Sequence, residues 1–305
     1  MDRVSDDVAG SPVTTRPRES AAFRRILGIE FFTGRGPEAV ERMRNGGLLV
    51  VPAAPALINL PLDKAYRDAL LQADLVIADS AFMVMLWNLM EGDRLGRLSG
   101  LEYFSRLVAD PDFRRPGVAL YVMASEESAH RNVPWLKRQG IPVDATQVYV
   151  APFYDGEVAD PVLLDRIATL RPQHVVITIG GGIQERLGLY IKQSVDYVPA
   201  IHCIGAAIAF RSGDQVYIPE IADKLHLGWL VRCLWRPRSY VPRYWAARKL
   251  AWLLFRYRTE MPPMKTHNRP RPEDIEPRTF TGASGPNETL PGKRFPLEQG
   301  GETRA

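Results

Sequence analysis

Ala73-Asp74-Leu75-Val76-Ile77-Ala78-Asp79-Ser80 is the stretch on which the fold reading turns. Leu75 to Ala78 is a short apolar run that reads as a buried strand. Helices are expected on either side of it, over Asp63–Gln72 and around Phe82–Met90. The same alternation recurs along the chain. Leu48–Val51, Val118–Met123, Val148–Val150, Val175–Ile179 and Ala200–Ile204 read as strands. Ser128–Gln139 (closed by Gly140), Pro161–Leu170 and Gln184–Gln193 read as helices. Short apolar runs separated by helices of about ten residues are the mark of an open, mostly parallel sheet with helices on both faces. The expected class is therefore α/β. In such sheets ligands bind beyond the carboxyl ends of the strands, which directs attention to the residues that follow each run.

Composition narrows the setting. Of 305 residues 46% are apolar, enough for one large core with appendages. Two cysteines, Cys203 and Cys233, cannot build a disulfide framework or a four-ligand zinc site, which favours a reducing compartment. The amino terminus lacks the basic-then-apolar layout of a secretory signal. No run approaches the roughly 18 apolar residues of a membrane-spanning helix, so a soluble or peripheral protein is expected. Residues 1–20 are polar and aperiodic and read as a disordered lead, ahead of a core over 21–219. Residues 260–305 carry prolines from Pro262 to Pro296 in a polar segment that buries little, and read as a disordered tail.

Between core and tail, residues 220–259 form a basic appendage. Lys224 to Arg258 contains nine Lys or Arg and no Asp or Glu, and four of the six tryptophans fall within 229–252. Leu227, Leu230, Val231, Leu234 and Trp235 follow the spacing of a one-faced helix. A second segment places Val241, Tyr244, Trp245, Trp252 and Phe255 near one face, interrupted by Arg248. Basic residues flanking a Trp-rich apolar face suit a helix lying in the headgroup region of a bilayer; packing on the core or on another subunit is the alternative. A nucleic-acid partner would rest on the basic stretch alone, and none is expected beyond weak, non-specific binding.

Three groups of residues carry candidate chemistry. Asp79, at the end of its strand, accepts a proton from a nucleophilic hydroxyl, or else Asp79 or Ser80 simply caps the next helix. Gly180-Gly181-Gly182-Ile183-Gln184-Glu185 lies between a strand and a helix, where glycines admit a ligand to the backbone and the helix start offers N–H groups to a phosphate. Arg232, Arg236, Arg238 and Arg243 can clamp a diphosphate and stabilise charge on a leaving nucleotide. Asp110-Pro111-Asp112 has the Asp-x-Asp form of a metal-holding motif, but it reads as a surface loop. The histidines show no close ligand spacing, so neither metal nor cofactor is expected.

These positions resemble the TagA/WecG/CpsF family, glycosyltransferase family 26, from about Ile26 to Tyr244. The resemblance rests on the order and spacing of five pieces. They are Ala73 to Asp79, Ser99-Gly100-Leu101-Glu102, Gly180 to Glu185, Leu227 to Arg232, and Arg236-Pro237-Arg238 with Arg243-Tyr244. It implies a Rossmann-like core, self-association into a homo-oligomer, and an appendage that completes the site and contacts the cytoplasmic face of the membrane. The implied activity is metal-free, inverting transfer of a hexose-type residue from a UDP-sugar to a polyprenyl-diphosphate-linked sugar, feeding cell-surface or exopolysaccharide synthesis. Asp79 then matches the general base. Gly181, Gly182, Gln184 and Glu185 lie at the donor, with Arg232, Arg238 and Arg243 at the diphosphate. The chain departs from the family pattern at Ser80 (usually Gly), Val51-Pro52-Ala53 (usually Thr-x-Asn), Ala209 (Asp) and Gly228 (Glu). Losing polar groups from a cleft is not neutral for a donor that uses them. The departures point away from N-acetylmannosamine, with glucose one candidate, and leave a non-catalytic membrane scaffold as the alternative.

Overall fold

The computed structural model describes residues 23–92, 94–209, 234, 238, 245 and 248–265. The strands are β1 (Phe23–Ile26), β2 (Ile29–Phe32), β3 (Gly47–Val50), β4 (Leu75–Ile77), β5 (Ala119–Met123), β6 (Val148–Val150), β7 (His174–Ile177) and β8 (Ala200–Cys203). The helices are α1 (Gly36–Met43), α2 (Ala54–Leu57), α3 (Lys64–Leu71), α4 (Ala81–Glu91), α5 (Gly100–Ala109), α6 (Glu126–Arg138), α7 (Pro161–Leu170), α8 (Ile183–Ser194) and α9 (Arg248–Tyr257). The strands form one sheet in the order β1-β2-β4-β3-β8-β7-β5-β6. Every pairing is parallel except β1 with β2. The open, mostly parallel α/β sheet expected from the apolar runs is present.

Strand periodicity divides the core into two layers. Leu48, Val50, Val76, Ala78, Val175 and Ile177 face the layer that includes α2, α3, α4, α7, α8 and α9. Leu49, Val51, Leu75, Ile77 and Val176 face α1, α5 and α6. The central strands β3, β4, β5 and β8 are buried on both faces, which is why they read as continuous apolar runs rather than alternating ones.

Three features were not legible in the sequence. The β1–β2 hairpin turns on Leu27 (φ 50°) and Gly28 (φ 76°). A leucine is a poor left-handed turn residue; here the Leu27 and Gly28 N–H groups donate to the Arg258 and Thr259 carbonyls at 2.7 and 2.9 Å. Tertiary contact with the far end of the chain thus sets the turn. The second feature is α9. The appendage reading placed an aromatic face there, and Trp252 and Phe255 are indeed exposed, but Leu250, Leu253 and Leu254 are buried in the core. Removing those three would forfeit roughly 1.5–3 kcal/mol each. The third is a buried polar chain. His174 Nδ1 meets His202 Nε2 at 3.0 Å, and His202 Nδ1 meets the Tyr103 hydroxyl at 2.8 Å.

Burial pushes the His174 imidazole down to about 4 and holds His202 well below the ordinary histidine range. Both are therefore neutral in the folded state at pH values where the unfolded chain takes up protons. Stability is expected to fall as pH drops from about 6.5 to about 4. The check is the pH dependence of the thermal midpoint: His174→Gln should flatten that limb, and an unchanged slope would contradict the account.

The lead (1–20), most of the helix expected from Leu227 to Trp235, Arg232, Arg243, Gly228 and the tail beyond Lys265 lie outside the described residues.

Candidate active site

Because β3, β4, β7 and β8 run parallel, the residues after them share one edge of the sheet. These are Val51–Ala53, Ala78–Ser80, Thr178–Gly182 and Ile204–Gly205. The chain steps from β3 to β4 on one side while β8 flanks β3 on the other, and such a switch opens a crevice at the carboxyl edge.

Of the two readings of Asp79 and Ser80, the structure divides the roles. Ser80 caps α4, its Oγ accepting from the Met83 N–H at 3.2 Å. Asp79 is left free of that task. Its Oδ1 accepts from the Gly100 N–H at 3.0 Å, and its side chain is 31% exposed. Arg97 supplies a guanidinium to the same residue, donating to the Asp79 carbonyl at 2.7 Å and approaching Oδ1 at 3.6 Å. Arg97 was missed in the sequence, since it falls in an aperiodic stretch and gains its meaning only from this contact.

A continuous set of contacts joins Asp79 to the glycine loop. Gly100, at the start of α5, packs against Val51 and the Ile204 carbonyl; a Cβ there would lie 3.3 Å from Val51 Cγ1. The next residue, Gly205, donates its N–H to Gln184 Oε1 at 2.7 Å. The Gln184 amide donates to Glu185 Oε1 at 3.2 Å, and Glu185 Oε2 accepts from the Gly182 N–H at 2.6 Å. Gln184 and Glu185 are both buried, so the pair shapes the loop from beneath. Burial pushes the Glu185 carboxyl up to about 7.

Above that support the loop is open. A Cβ added at Gly180, Gly181 or Gly182 would meet no atom within 4 Å, and only Gly182 needs a left-handed φ, 92°. Arg186 holds its outer side, donating to the Gly182 carbonyl at 3.1 Å and to the Gly156 carbonyl at 3.0 Å. A glycine turn at the start of a twelve-residue helix, flanked by a guanidinium, is suited to an anionic group.

Of the appendage arginines, Arg238 is helical and exposed, while Arg232 and Arg243 lie outside the described residues. Ala53, where the resemblance expects an asparagine, stands at the N-cap of α2 and makes no side-chain cap. Ala209, in place of an aspartate, is buried. The Asp110-Pro111-Asp112 motif lies at the opposite edge of the sheet, where Arg44 bonds both carboxylates at 2.9 and 3.1 Å. A cavity of about 370 Å³ opens beside it, lined by Arg44, Arg115, Arg171 and His174. Its guanidiniums are engaged by Asp110, Asp112, Gln173 and Asp196, so it reads as a structural knot despite its size.

The chain is similar to the N-acetylglucosaminyldiphosphoundecaprenol N-acetyl-beta-D-mannosaminyltransferase of Bacillus spizizenii, with 26% identity over 210 residues, 66% of this chain and 78% of that protein. A model of the Glycosyl transferase WecG/TagA/CpsF family matches residues 24–262. That span runs from the β1–β2 hairpin through the Asp79 edge and the glycine loop to α9. With the order of motifs, the sheet and the match in agreement over most of its length, the chain belongs to the WecG/TagA/CpsF family of glycosyl transferases.

Proposed function

We propose that this hexosyltransferase moves a sugar, with inversion, from a UDP-sugar to a sugar linked to a polyprenyl diphosphate. The acceptor class follows the name of the Bacillus relative. The observation that carries the reading is the shared sheet edge, where Asp79 is tied through Gly100, Gly205 and Gln184 to the open turn Gly180–Gly182. The Asp79 carboxylate takes the proton from the acceptor hydroxyl as its oxygen bonds to the anomeric carbon. The bond from that carbon to the UDP oxygen breaks on the opposite face. Charge growing on the departing diphosphate is met by the Gly181 N–H, the Gly182 N–H being held by Glu185, and by arginines, with Arg232, Arg238 and Arg243 expected from the appendage. The reading needs no divalent metal, and the Arg44 grip on Asp110 and Asp112 supports that. Ala53 and Ala209 remove polar partners from the family pattern, which favours a donor other than N-acetylmannosamine. The exposed aromatic side of α9 supports peripheral attachment at the cytoplasmic face of the membrane.

Binding and turnover test this directly. UDP at one hundred times its Kd should stabilise the protein by about 2.7 kcal/mol. Gly181→Ala adds a Cβ that meets no protein atom within 4 Å, so the unliganded midpoint should hold while the UDP-induced shift shrinks. A shift equal to wild type would remove the glycine turn from the donor site. Screening UDP-sugars against short-chain polyprenyl-diphosphate sugars then identifies the donor. Absence of any UDP-sugar shift would favour the scaffold reading.

A further inference from the structure

Helix α4 begins two residues after Asp79, and its first ten residues, Ala81 to Met90, contain no charged side chain. A helix that covers a core normally turns a polar face to water. Here Met83, Val84 and Trp87 are buried, and the opposite side presents Met85 and Leu89, 58% and 80% exposed. Phe82 is half-buried beside them. Helix α9 packs alongside α4 in the same layer. Their carboxyl-terminal ends meet, where Arg258 just past α9 bonds Glu91 at the end of α4 at 2.9 Å. On its outer side α9 exposes Trp252 and Phe255, flanked by exposed Arg248, Lys249 and Arg256.

We infer that α4 and α9 together form one docking face for an anionic bilayer, with α4 supplying the apolar ridge and α9 the aromatic and cationic part. Large exposed apolar side chains on two helices packed in one layer mark an interaction site. Cations alongside tryptophan and phenylalanine match the boundary between anionic headgroups and acyl chains. The inference rests on the peripheral-membrane part of the proposed function and extends it from the appendage to the catalytic core. Because α4 starts at the catalytic edge, seating it on the bilayer fixes the height and tilt of the Asp79 cleft. A lipid-linked diphosphate at headgroup level is then presented to the amino-terminal end of the same helix.

The test is co-sedimentation of the full chain with vesicles of phosphatidylcholine alone or with 30% phosphatidylglycerol, a composition chosen on the order of natural anionic content. Two surface double variants are compared with wild type: Met85→Glu with Leu89→Glu, and Trp252→Glu with Phe255→Glu. Each should lower binding to anionic vesicles at least fivefold, leave the thermal midpoint near wild type, and leave turnover of a water-soluble short-chain acceptor unchanged. If the α9 pair loses binding while the α4 pair pellets like wild type, the α4 inference is overturned and attachment through α9 stands. If wild type itself binds neither vesicle, the membrane reading fails and the inference with it. If the α4 pair binds vesicles normally but shifts sedimentation velocity from an associated to a smaller species, the ridge is a contact between copies, which also overturns the inference.

Discussion

Asp79→Asn is expected to lower turnover by about 10²–10⁴-fold, the usual worth of a positioned general base. The UDP-induced stabilisation should remain close to wild type. Asparagine keeps the oxygen that accepts from the Gly100 N–H, so the start of α5 stays in place. What is lost is the ability to take a proton, together with the charge facing Arg97. Because Asp79 is partly exposed, the lost ion pair costs the fold no more than about 1 kcal/mol. The informative comparison is therefore kcat against the thermal midpoint in the same preparation. Turnover with a lipid-linked acceptor at the wild-type rate would remove Asp79 from the chemistry. A collapse of the midpoint would show that its role is architectural.

Glu185→Ala should lower stability by roughly 2–4 kcal/mol. The carboxyl is fully buried and accepts from both the Gly182 N–H and the Gln184 amide. Its loss strands both donors beneath the glycine turn. The conservative change Glu185→Gln separates charge from shape. Burial pushes the folded-state carboxyl up to about 7 from its ordinary 4.5. Below about pH 4.5 it is protonated whether the chain is folded or not, and it imposes no penalty. As pH rises through 7 the unfolded chain ionises first, so folded-state stability falls, by about 3 kcal/mol in total. The histidine chain acts in the opposite sense below pH 6.5, so the Glu185 contribution is read as wild type minus Glu185→Gln. That difference should open between pH 4.5 and 7 and level off above it; a difference independent of pH would contradict the buried-acid account.

Much of the sheet was legible because it is encoded locally. Leu75–Ile77, Ala119–Met123 and Val148–Val150 are apolar on both faces and bounded by helix-compatible segments. Asp63 and Ser80 stand at the caps of α3 and α4. The glycine turn and Asp79 could be placed at one edge because parallel topology dictates it. What stayed hidden depends on distant chain. The Leu27–Gly28 turn is held by Arg258 and Thr259. Arg97 matters through its bond to Asp79, and Arg186 through its bridge from Gly182 to Gly156. In α9 Trp252 and Phe255 draw attention to the wet side, while Leu250, Leu253 and Leu254 join the core. Those leucines explain why truncating the appendage is a poor probe of membrane contact. Removing them takes out part of the layer that covers the sheet.

A structure of the enzyme with UDP bound would locate the donor site outright. The diphosphate is expected within hydrogen-bond distance of the Gly181 N–H, with its free end directed toward the Asp79 carboxylate. UDP seated instead in the cavity at the other edge, among Arg44, Arg115 and Arg171, would contradict it.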